Sequence, residues 1–149
     1  MNFMVISNSK LNIESLEDNL FRLTSDFSIV LKENNHNFLV EFTVSKGAIF
    51  DGLSIPFGLR WFLPVIDYTN DLYSAAGLIH DGLYASELVS KEIADDIFRG
   101  ILRDSGISRF KAGCAHQAVM KFAKKHYGKH QDEHNLKYFM DMNVNYNYN

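Results

Sequence analysis

The chain has 149 residues, 46% of them hydrophobic and 22% charged, with a formal net charge of −3. Length and composition fit one globular domain with a real core and exclude a wholly disordered chain. The charge supplies no global attraction for nucleic acid or anionic lipid, so no nucleic-acid partner is expected.

The N-terminus, residues 1–7, lacks the basic region and long apolar run of a signal peptide. No stretch reaches the ~18 apolar residues of a membrane helix. Cys114 is the only cysteine, so no intrachain disulfide can form, and it reads as a small core residue. A soluble, intracellularly made protein is the expectation.

In chain order, residues 10–23 are ambiguous between a short helix and a loop leading to a first strand. Residues 27–32 and 37–44 are rich in β-branched and aromatic side chains, with polar Glu33, Asn34, Asn35 and His36 between them. That pattern predicts a hairpin. Residues 46–56 hold two glycines, Ser54 and Pro56 among apolar residues, which predicts an irregular but packed loop. Trp61, Phe62, Leu63 and Val65 are expected to anchor it.

The second half reads as three helices. The first covers residues 70–85, with Thr69 or Asn70 as cap. The second covers residues 90–105, with Ser90 as N-cap and Gly106 after the end. The third covers residues 108–127, between Ser108 and Gly128. The whole is an α+β domain over residues 1–128: a small antiparallel N-terminal sheet packed on three C-terminal helices. The Asn- and Tyr-rich residues 129–149 are expected to be peripheral or disordered.

Helical spacing sorts the polar residues. On the first helix Leu72, Ala75, Ala76, Ile79 and Leu83 form an apolar stripe. Tyr73, Gly77, His80, Asp81 and Tyr84 occupy an adjoining arc of about 100°. Gly77 leaves room beside His80 for a ligand or another chain segment. His80 and Tyr84, four apart, stack along the helix. On the second helix Asp95 lies at the margin of the apolar stripe and Asp96 on the solvent side. Asp95 is therefore the better candidate to point at His80, where it would fix the imidazole tautomer and raise its basicity.

Each assignment has a simpler alternative. His80 could be a satisfied core histidine, and Asp95 could merely decorate its helix. Asp81 is either solvated or a ligand for a hard cation. Asp51 could complete such a site with backbone carbonyls, or simply form a turn. His126, His130 and His134 recur every four residues and could bind a transition metal if helical, the alternative being an unstructured tail. Lys121, Lys124, Lys125 and Lys129 read as a solvated helix face.

Two motifs, Phe50-Asp51-Gly52-Leu53-Ser54-Ile55-Pro56 and His80-Asp81-Gly82-Leu83-Tyr84, with Ala94-Asp95 and Phe98 beyond, resemble domain-of-unknown-function family 1353. That family occurs in bacteriophages and bacterial genomes and has no assigned activity. The resemblance covers residues 25–127 and implies a phage protein working in the host cytoplasm or the virion, with phage or host proteins as partners.

The His80-Asp81-x-x-Tyr84 helix is also similar to the catalytic helix of phospholipase A-two enzymes. That similarity implies a calcium-dependent esterase acting on phospholipid or another ester. His80 would be the base, Asp81 a calcium ligand with Asp51 beside it, and Tyr84 and Asp95 the supports of the histidine. The glycine-rich calcium loop of those enzymes is absent. The competing expectation is a non-enzymatic virion or accessory protein, in which His80, Asp81, Tyr84 and Asp95 form a polar network that fixes the helix packing.

Overall fold

The computed structural model describes residues 1–53, 58, 60–123 and 140–145. The far end of the third helix, the spaced histidines of the tail, Lys124, Lys125 and Lys129, and Ser54 to Pro56 lie outside them.

The hairpin forms as its composition dictates. Strand β4 (Phe27–Glu33) pairs antiparallel with β5 (Phe38–Val44), running from Phe27↔Val44 to Glu33↔Phe38. Alternation sends Phe27, Ile29 and Leu31 of β4, with Val40, Phe42 and Val44 of β5, into the core. Asn37 closes the turn in the left-handed region, at φ 52°.

Two further strands complete this sheet, and sequence reading assigned neither. The N-terminal β1 (Phe3–Asn8) pairs with β4, with a register shift between Val5 and Ser7. At the other edge β7 (Met140–Asn145) pairs with β5, from Val44↔Met140 to Leu39↔Asn145. The sheet order is β1-β4-β5-β7. Of the two expectations for the tail, peripheral or disordered, these six residues form an ordered strand at the edge of the sheet. Met140 is buried against the core, and its side chain fills the space beside Gly82. Burial of that side chain and a full ladder of backbone hydrogen bonds outweigh the polar composition of the segment.

The ambiguous stretch after β1 resolves into β2 (Ile13–Ser15), a 3-10 turn over Glu17–Asn19, and β3 (Phe21–Leu23). The predicted irregular loop contributes a short β6 (Ile49–Phe50). Together these make a second antiparallel sheet, ordered β2-β3-β6. Of the four expected anchors, Leu63 is fully buried, and Phe62 and Val65 pack against the core. Trp61 is 83% exposed, with its ring tilted against Phe62, and so is not one of the buried anchors.

The helices lie close to their predicted bounds. Helix α1 is Asp71–Ser86, and the Asn70 side chain accepts from the Tyr73 N–H at its start. Helix α2 is Lys91–Asp104, with Ser90 capping the Ile93 N–H and Gly106 in the left-handed conformation beyond its end. Helix α3 is Arg109–Ala123 over the described residues, with Ser108 Oγ accepting from Lys111 N at 3.2 Å. Cys114 is half-buried at the core margin. Helix α1 is the central element, buried on nearly every side from Tyr73 to Tyr84. It packs on α2, on β6 and on β7, so its polar residues are enclosed.

No described helix is long and apolar enough to cross a membrane.

Candidate active site

The polar arc of α1 meets the margin of α2 across the core. His80 Nε2 lies 3.0 Å from Asp95 Oδ1. The Tyr84 hydroxyl donates to the same oxygen at 2.5 Å. The other oxygen, Oδ2, accepts from Lys91 Nζ at 2.6 Å. The imidazole packs between two rings, with centroids 4.0 Å from Tyr84 and 4.9 Å from Phe98. His80, Tyr84 and Asp95 are 4%, 4% and 5% exposed, so the network is almost sealed.

Each member arrives by local geometry. His80 and Tyr84 stand one turn apart on α1, so both reach one carboxylate. Asp95 faces inward at the edge of the α2 apolar stripe. Lys91 lies one turn before Asp95 on α2, an i,i+4 pair. It was absent from the sequence-derived set, yet its spacing is the usual signal for a helical ion pair.

Electrostatics fix the protonation states. Burial acts to raise the Asp95 pKa. The hydrogen bonds from His80, Lys91 and Tyr84 outweigh it and hold the carboxyl at about 2. Burial is the largest influence on His80 and lowers its pKa below the ordinary 6.5, although Asp95 pulls it upward. The imidazole is therefore neutral at pH 7. An ionised carboxylate only accepts, so the proton of neutral His80 sits on Nε2. Nδ1 is left as the basic lone pair.

The proposed metal ligands are placed differently. Asp51 is exposed and Asp81 is half-buried on α1. The loop carrying Asp51 does reach α1: Gly52 and Leu53 lie against Gly77, one turn before Asp81. Leu53 is buried there, with its N–H donating to Val65 O at 2.9 Å. Among the described residues, however, no three His, Cys, Asp or Glu side chains converge on a metal position. Calcium takes six to eight oxygens. The described His, Cys, Asp and Glu side chains alone do not supply that number.

The fold joins two antiparallel sheets to three helices and holds the His80–Asp95–Tyr84 network, with Lys91 at its margin, between α1 and α2. The family model for proteins of unknown function designated DUF1353 matches residues 21–119, and the chain belongs to that family. The matched span contains His80, Tyr84, Lys91 and Asp95, together with Asp51 and Asp81. No curated protein and no solved structure matches the chain.

Proposed function

We propose that the protein is a hydrolase of ester bonds in which His80 is the general base. The observation that carries this reading is the Asp95 carboxylate: its Oδ1 orients His80 Nε2 and accepts from Tyr84, and its Oδ2 is held by Lys91. A base needs a neutral ring, a fixed tautomer and a rigid orienting acid, and this arrangement supplies all three.

The step is simple to balance. Nδ1 of His80 takes a proton from water as the water oxygen bonds to the ester carbonyl carbon. The positive charge that forms on the imidazole is compensated by Asp95. The same proton then passes to the departing alkoxide as the carbon–oxygen bond breaks, leaving an acid and an alcohol. The step uses only His80 and Asp95 and is written without a metal. Phospholipid is the ester class suggested by the helix motif.

One observation favours a second reading. The 4–5% exposure of His80 and Asp95 suits a satisfied polar network that fixes the α1–α2 packing in a non-enzymatic phage accessory protein. Hydrolysis of mixed phospholipid micelles and of short-chain chromogenic esters, with wild type and His80→Ala, decides between them. Wild-type turnover abolished in the variant supports the hydrolase. No turnover by pure protein on either substrate leaves the structural reading.

A further inference from the structure

A separate cleft of about 540 Å³ opens on the other flank of α2, between α2, α3 and the start of β1. That volume lies within the ~300–1,000 Å³ of small-molecule sites. Its walls follow from helical spacing. Asp96, Arg99, Gly100 and Arg103 of α2 fall at i, i+3, i+4 and i+7, one stripe facing the cleft. Across from them Arg109, Gly113 and His116 of α3 also fall at i, i+4 and i+7. Gly113 leaves space in the cleft, while the room beside Gly100 is taken up by the start of β1. Gly100 lets the Phe3 carbonyl approach to 2.5 Å of where a Cβ would stand, and at Gly113 nothing lies within 4 Å.

The charge of the walls is one-sided. Three arginines face one carboxylate, and that carboxylate, Asp96, is already paired with the Met1 amine at 2.8 Å and with Arg99 at 3.3 Å. Arg103 is fixed as a strut and offset by Asp104: it donates to Asn2 Oδ1 at 3.1 Å, to the Phe3 carbonyl at 2.6 Å and to Asp104 Oδ1 at 3.2 Å, which leaves Arg99 and Arg109 for a ligand. Arg109 enters none of the ion pairs among the described residues. It stands at the first turn of α3, where the helix dipole adds positive potential and no acidic side chain offsets it. His116, lowered by burial and then by Arg99, contributes a neutral ring to the floor.

We propose that this cleft binds the phosphate group of a small molecule or lipid headgroup, with Arg109 and Arg99 as its clamps and Gly113 as the position that keeps the space open. The planar guanidinium matches phosphate oxygens two at a time, and paired arginines on facing helices can take opposite edges of one group. The proposed clamps are not members of the His80 network, so the binding test is read apart from the hydrolase reading.

The test uses the full chain and measures binding, not turnover. Calorimetric titration with inorganic pyrophosphate should give saturable binding with Kd of about 1 mM or below. Arg109→Ala, at an exposed side chain, should weaken it about tenfold or more, the loss of a charged hydrogen bond. Gly113→Leu should abolish it by filling the cleft, while circular dichroism and Tm show an intact fold. A parallel sedimentation with phosphatidylglycerol–phosphatidylcholine vesicles separates the sources. Binding to vesicles alone, sensitive to both variants, assigns a lipid headgroup. Pyrophosphate binding assigns a soluble phosphate. Binding to neither, or binding that both variants leave unchanged, overturns the proposal.

Discussion

Gly77 of α1 and Gly52 of the preceding loop touch backbone to backbone. A Cβ at position 77 would stand 2.9 Å from the Gly52 carbonyl carbon and 3.0 Å from Leu53 N. This contact docks the Asp51–Leu53 segment on the helix one turn before His80, so it sets how that end of the polar arc is covered. Forcing a methyl group into the contact costs ~1–3 kcal/mol of overpacking, against ~1 kcal/mol gained in helix propensity. Gly77→Ala should therefore lower stability by up to about 2 kcal/mol on urea unfolding. Gly113→Ala is the control: it has open space around it and should gain up to ~1 kcal/mol. Equal effects at both positions would refute the close-packing account.

His80→Ala removes the base. Loss of a general base costs ~10²–10⁴ in rate, so ester turnover should fall by that factor while KM stays near the wild-type value. Retained turnover in the variant would remove His80 from the chemistry.

Asp95 acts through His80 and is a positioning residue. It pulls the His80 pKa upward against burial. Asp95→Asn should therefore move the acidic limb of the pH–rate profile to lower pH as well as reduce kcat. A purely structural Asp95 would lower activity without moving the limb. In the wild type the base must be neutral, so kcat/KM should rise with pH and pass half-maximum below 6.5.

Acid should destabilise the fold in two stages. The folded His80 pKa lies below 6.5, so the unfolded chain binds that proton first, and stability begins to fall as pH drops through 6.5. Asp95 and Glu33 are both held at about 2, below their ordinary 3.8 and 4.5. Burial opposes the shift at Glu33, but the N–H groups of Asn2 and His36 and the His36 ring outweigh it. Their contribution is complete above about 4.5 and is lost as pH falls from there through about 2. Thermal melts between pH 7 and pH 2 should show both declines, and Asp95→Asn should flatten the lower one.

Asp81→Asn distinguishes a metal-free reaction from a calcium-assisted one. With no three metal-ligating side chains converging among the described residues, turnover should survive both the substitution and chelation by EDTA within about a factor of two, well short of the ~10²–10⁴ loss expected for removing the base. Strong calcium dependence that Asp81→Asn abolishes would return Asp81 and Asp51 to the chemistry.

Periodicity in the sequence determined the three helices, their Ser90 and Ser108 caps, the choice of Thr69 or Asn70 as the first cap, the β4–β5 hairpin and the side of α2 from which Asp95 would point. These are local properties: capping, alternation and helical phase are set by neighbours within a turn or two. The i,i+4 spacing of Lys91 and Asp95 is a local signal of the same kind. Tertiary structure decided the rest. β1 and β7 exist because each pairs with a strand far away in sequence, at Phe3↔Glu33 and Val44↔Met140. Their own composition, polar in β7 especially, carries no such signal, since a strand edge is stabilised by its partner's backbone. The burial of His80 and Asp95, and with it the neutral imidazole, likewise arose only when α1 was enclosed by α2, the sheets and the Gly52–Leu53 loop. Desolvation depends on everything packed around a group, and one helix in isolation leaves its polar arc in water.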